Sequence, residues 1–178
     1  MNLEGILHQL VDEKKFRKLR GILEEMNEVD IAEFIQDMEL DKVVLVFRLL
    51  PKELGAEVFA CLEIEMQEYI INSMSDYELQ KIIEELYIDD AVDMLEELPA
   101  TVVRRVLANA KPDTRALINQ FLQYPDDSAG SIMTAEYIAL KKSMTVEQSF
   151  AYIRRNAVDK ETIYTCFVWM KSVIWKVS

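Results

Sequence analysis

From Asn2 to Tyr124 the apolar residues recur at the three- and four-residue spacing of amphipathic helices, and the polar breaks between runs are short. That rhythm predicts nine or ten short helices following one another in antiparallel fashion. Helix starts are marked by Ser75-Asp76-Tyr77-Glu78, which has the form of a capping box. Pro51, Pro99 and Pro112 suit first-turn positions, where no amide partner is lost. Beyond Met133 the rhythm changes to a short extended run at Tyr137-Ile138-Ala139-Leu140, a helix opening on Thr145-Val146-Glu147-Gln148, and a strand from Ile163 to Val168. The change places a domain boundary in the segment Tyr124-Pro125-Asp126-Asp127-Ser128-Ala129-Gly130-Ser131-Ile132-Met133-Thr134.

The helical part repeats itself. A shift of 48 positions lays Ile31, Phe34, Ile35 and Met38 over Leu79, Ile82, Ile83 and Leu86, Leu40-Asp41 over Ile88-Asp89, and Leu50-Pro51 over Leu98-Pro99. Convergent amphipathic patterning would give the apolar matches, but the matched prolines and aspartates favour one unit used twice. Units of this kind stack as an α-solenoid, each burying its apolar face on its neighbour, and present a surface for binding.

Charge then narrows the function. The 178 residues carry 32 acidic and 20 basic side chains, a net charge of −12, which opposes nucleic acid and favours cations or basic partners, although an acidic surface also serves solubility. The run Val43-Val44-Leu45-Val46-Phe47 falls far short of the roughly 20 residues of a membrane helix. The N-terminus has no secretory pattern, so a cytoplasmic chain is expected. Cys61 and Cys166 lack metal or disulfide spacing, and Cys61 is expected to pack on a helix face. No enzyme is expected: the single histidine, His8, has no nucleophile signature beside it, and four glycines provide no phosphate loop.

Among the acids, Asp89 and Asp93 are four apart on one predicted helix, their Cβ atoms roughly 5–6 Å apart, where unpaired carboxylates repel. Asp89 has a counterpart in Asp41 and reads equally as an N-cap, a favourable dipole placement or a cation ligand. Asp93 overlies Leu45, and Glu57 overlies Arg105, so the shared packing does not demand either acid. Mg²⁺ takes one or two carboxylates and keeps several waters, so such pairs are chemically adequate for it.

The junction Tyr124 to Thr134 and the segments Ile88-Asp89-Asp90-Ala91-Val92-Asp93 and Ala56-Glu57-Val58 resemble the MgtE family of magnesium channels, nearly to Val168. The resemblance implies a mainly α fold: a right-handed α-solenoid-like superhelix of about ten short helices over 1–128, then an incomplete α/β fragment over 129–178, the start of a first cystathionine-β-synthase (CBS) motif. It implies Mg²⁺ ligation by Asp89 and Asp93, with Glu57 in the same acidic interface and the backbone carbonyl of Ser131 as a further ligand; Ser131 stands where the family has glycine. The expected role is a cytoplasmic Mg²⁺-sensing region on the inner side of the cell membrane. Mg²⁺ there bridges the acidic faces of the helical and CBS domains in a homodimer whose own membrane domain forms the channel. The alternative is a stand-alone helical-repeat adaptor that binds a basic protein partner.

The family continues with a polar hairpin of the Val-Asp-Glu-x-Gly type after the second strand, whereas this chain reads Trp169-Met170-Lys171-Ser172-Val173-Ile174-Trp175-Lys176-Val177-Ser178. One G inserted after the Val168 codon turns the next three codons into Val-Asp-Glu plus a base, so 169–178 is expected to be an out-of-frame tail, the alternative being a native, divergent end. A fragment truncated there is expected not to transport magnesium.

Overall fold

The computed structural model describes residues 3–125, 128–157, 160 and 163–169. Ten helices precede the junction: α1 (Leu3–Asp12), α2 (Phe16–Leu23), α3 (Glu28–Gln36), α4 (Leu40–Phe47), α5 (Lys52–Ala60), α6 (Ile64–Ser73), α7 (Asp76–Ile83), α8 (Ile88–Glu97), α9 (Ala100–Asn109) and α10 (Pro112–Phe121). After it come β1 (Ile138–Lys141), α11 (Val146–Asn156) and β2 (Cys166–Trp169).

From α2 to α10 the helices start at 16, 28, 40, 52, 64, 76, 88, 100 and 112, each 12 residues after the last. The 48-residue repeat is therefore four such units. From α3 to α8 the fourth, seventh and eighth residues of each unit share one helix face and are buried, whereas α9 buries Val102 and Val106 and α10 leaves its eighth residue, Asn119, exposed. Ile31, Phe34 and Ile35 fill the three positions in α3, Val43, Val46 and Phe47 in α4, and Leu79, Ile82 and Ile83 in α7, all of them buried. The residue two before the helix closes the layer, as Met38, Leu62, Met74, Leu86 and Leu98 do. Alternate helices pack together, α3 on α5, α5 on α7, α7 on α9 and α8 on α10, so each unit's apolar face is covered by a near neighbour in sequence.

Polar cross-links recur with the same 48-residue shift. Gln67, a buried polar residue at a core position, donates from Nε2 to the Phe59 carbonyl at 2.9 Å, and its counterpart Arg115 donates from Nη1 to the Leu107 carbonyl at 3.4 Å. The Glu63 amide donates to Gln36 Oε1 at 2.6 Å, and the Lys111 amide to Glu84 Oε1 at 3.0 Å. Shared side-chain bonds at shared positions are not a product of amphipathic patterning alone.

Helix ends follow local chemistry. Ser75 and Thr145 each form a reciprocal capping box, with Glu78 and Gln148 respectively. Pro112 is the first residue of α10, but Pro51 and Pro99 sit one position earlier, at the N-cap, where their extended backbone suits the entry to the helix. Asp41 and Asp89 are second residues of α4 and α8, so they complement the helix dipole and do not cap. Cys61 is exposed at the C-cap of α5; the twelve-residue register puts it past the buried Val58 and Phe59, off the packing face expected for it.

β1 and β2 are parallel, pairing Ile138 with Cys166 through Lys141 with Trp169, and α11 is the crossover that parallel pairing requires. Trp169, the first residue of the expected out-of-frame tail, completes β2; the tail's remaining positions, 170–178, lie outside the described residues. Ile83→Ala removes a fully buried side chain and is expected to cost about 2–5 kcal/mol in urea unfolding. Glu65→Ala, on the exposed face of α6, should stay within about 0.5 kcal/mol.

Candidate functional site

The α5–α8 side of the solenoid carries a cleft of about 850 Å³. The first turn of α3 contributes Glu28, α5 contributes Glu53 and Glu57, the end of α7 contributes Glu84 and Glu85, α8 contributes Asp90, and the junction contributes Glu136. Among the described lining residues the single base is Lys52, held by Glu85 at 2.6 Å and Glu53 at 3.3 Å. Burial first, then the negative charges of Glu28 and Glu53, push the Glu57 carboxyl above its ordinary value. The Cys61 thiol at the rim is pushed up by burial and then by Glu28, Asp90 and Glu57. The cleft therefore holds more negative charge than its own groups neutralise.

The two repeats differ in charge at equivalent positions. In the second copy Arg105 donates from Nε and Nη2 to Asp76 Oδ1 at 3.0 and 2.9 Å, from Nη1 to the Ile71 carbonyl at 2.7 Å, and from Nη2 to the Met74 carbonyl at 2.6 Å. Subtracting 48 converts Arg105, Asp76, Ile71 and Met74 into Glu57, Glu28, Leu23 and Met26. Where the second copy sets a guanidinium on a carboxylate and two helix-end carbonyls, the first copy sets a carboxylate beside a carboxylate. The influence of Glu28 on Glu57 is the electrostatic trace of that reversal.

Of the residues expected to bind a cation, Glu57 is exposed on the large cleft and Asp89 is half-buried in the first turn of α8. Asp93 is exposed one turn further along, in a separate cleft of about 230 Å³ that also takes Glu63, Asp90 and Glu97. Ser131 lies in the junction turn, its Oγ donating to the Ser128 carbonyl at 3.0 Å, and lines neither cleft. Among the described residues no group of three or more His, Cys, Asp or Glu is gathered as a ready metal cage. Asp90, which sequence reasoning passed over between its two neighbours, lines both clefts. The signal was available: Asp90, Asp93 and Glu97 form a stripe at helical spacing.

Glu136 was also passed over, because a lone acid in a junction has no pattern. Its Oε1 accepts from the Ile88 amide at the start of α8 at 3.4 Å, and its own amide donates to Thr134 Oγ1 at 3.1 Å. Burial pushes its carboxyl up, the Ile88 bond opposes this, and the Asp89 charge adds to the rise. The junction is anchored upstream as well. The Tyr124 ring packs edge-on against Phe121 with centroids 5.7 Å apart and covers Gly130 so closely that an added Cβ would come within 2.5 Å of it.

The MgtE intracellular N domain family matches residues 26–127, which hold α3 through α10. The chain belongs to the MgtE family. It is 36% identical over 166 residues to the magnesium transporter MgtE of Thermus thermophilus, covering 91% of this chain and 37% of that protein. With the magnesium transporter MgtE of Bacillus subtilis it shares 22% identity over 159 residues, 89% of this chain and 35% of that protein. The chain thus spans little more than a third of these relatives, both of them named as magnesium transporters. Its fold matches the crystal structure of the cytosolic domain of the Mg²⁺ channel MgtE in complex with ATP, with a TM-score of 0.83 and 35% identity over 95% of this chain and 69% of that one. The soluble part of a magnesium transporter shares the fold at a TM-score of 0.86 and 22% identity, over 94% of this chain and 66% of that one. Among the described residues no helix is long and apolar enough to cross a membrane.

Within this MgtE domain, the raised Glu57 pKa means that the native state binds the proton more tightly than the unfolded chain. The ionised group thus costs stability as pH rises from 4.5 through the raised value. Glu57→Gln should raise the melting temperature in metal-free buffer at pH 7, and the gain should vanish as the pH is lowered below 4.5.

Proposed function

We propose that this chain is a Mg²⁺-sensing regulatory region of a magnesium transporter, lying on the cytoplasmic side of the membrane, with a helical domain over 1–128 and the first CBS motif beginning at 129. Asp89, Asp93, Glu57 and the Ser131 carbonyl are its Mg²⁺ ligands, acting with groups on the CBS side of a homodimer. Mg²⁺ bridging these faces holds a compact state that favours a closed channel; without the ion, like charges drive the faces apart. The ion shifts that equilibrium only by its differential affinity for the two arrangements. Dispersed carboxylates suit the task, because Mg²⁺ keeps most of its water and asks for one or two carboxylates at a time.

The replacement of Arg105 by Glu57 at equivalent positions carries the reading. The second copy satisfies its helix-end carbonyls and Asp76 with a built-in cation, whereas the first copy presents the same frame with the cation's place turned acidic. The names of the relatives, both magnesium transporters, supply the identity of the ion. The cleft of about 850 Å³ is larger than one hydrated ion needs, which favours a second reading in which a basic protein segment docks there.

Glu57→Arg rebuilds the second copy's arrangement in the first. In thermal melts the variant should start above wild type in metal-free buffer and gain little from millimolar Mg²⁺, while wild type gains progressively as binding linkage requires. Equal starting points and parallel gains would count against the proposal. Binding of a basic peptide with no response to Mg²⁺ would favour the second reading.

A further inference from the structure

We infer that Glu136 is the positioning residue that fastens the junction onto α8, and that this fastening is where a cation at the acidic face reaches the β1–α11–β2 unit. The coupling half of this inference rests on the magnesium reading; the fastening half does not.

Helix α8 receives no side-chain cap from Tyr87 at its N-cap position. Its first amide, Ile88, instead donates to a carboxylate 48 residues downstream, so the start of α8 is completed by the junction. The contact is built from several sides. Thr134 Oγ1 accepts from the Glu136 amide, Ala135 packs against the solenoid core, and Tyr124 over Gly130 fixes where the junction leaves α10. Two residues beyond Glu136, the fully buried Ile138 begins β1, so a shift of Glu136 moves the strand with it.

Opposing forces act on this contact. The amide and dipole at the start of α8 attract the carboxylate, while Asp89, the residue after Ile88, repels it. Lys160 favours the ionised form of Glu136 without taking part in the Ile88 contact. A divalent cation near Asp89 cancels the repulsion and leaves the attraction, which tightens the fastening. The device needs no contact between the ion and Glu136.

Exchange of the Ile88 amide, followed by NMR in the 178-residue chain, tests both halves. In metal-free buffer Glu136→Ala should exchange about fivefold faster than wild type, the factor that loss of a helix cap carries. In wild type Mg²⁺ should slow the exchange; in Glu136→Ala it should change nothing. Glu136→Gln keeps an acceptor and discards the charge, so it should be slow without Mg²⁺ and insensitive to it, a pattern that a purely structural role would not produce. Equal metal-free rates in wild type and Glu136→Ala overturn the fastening. A Glu136→Gln variant that still responds to Mg²⁺ as wild type does overturns the coupling. If wild type ignores Mg²⁺ while Glu136→Ala still exchanges faster, the magnesium reading and the coupling fall and the fastening stands.

Discussion

Helices of eight to ten residues are too short to persist alone, so everything here depends on burial of each twelve-residue unit's apolar face against its neighbours, at the same three positions from α3 to α8. That regularity fixes which positions are free. With the fourth, seventh and eighth residues committed to the core, charge can vary on the remaining faces without unfolding the stack. The two copies can therefore differ at position 57 versus 105 by a full reversal of charge while their backbones stay in register.

On that frame the acidic residues divide by what surrounds them. Glu78 is satisfied by Arg48 and by its own capping box, which hold its carboxyl down at about 2. Glu84 pairs with Lys111, and Glu85 with Lys52. Glu57 and Glu136 are pushed the other way, by burial and by like-charged neighbours. The carboxyls with raised proton affinity lie on one side of the solenoid, around the cleft lined from α3, α5, α8 and the junction. A protein that needed only stability would place bases there, as it does at Arg105.

Much of the fold was legible because its code is periodic. The 48-residue match of Leu50-Pro51 with Leu98-Pro99 exposed the duplication, and Ser75 and Thr145 announced their helices through capping boxes that formed as read. The twelve-residue unit beneath it was harder to see, because polar Gln67 and Arg115 and the small Gly55 interrupt the apolar pattern at core positions. The site was legible only as an excess of carboxylates and two departures from repeat symmetry. Asp90 lines both clefts as part of a helical-spacing stripe with Asp93 and Glu97 that local pattern could have shown, whereas Glu136 gained its place from a contact spanning 48 residues, which no local pattern encodes.

On the proposed reading, like charges hold the acidic face in tension and magnesium relieves it. The most direct measurement is the melting temperature of the chain titrated with MgCl₂ and, in parallel, with NaCl at matched ionic strength. Simple screening raises both curves alike. Relief of that repulsion by bound Mg²⁺ requires a rise well beyond the NaCl curve, removed by Asp89→Ala/Asp93→Ala; superimposable curves would rule it out.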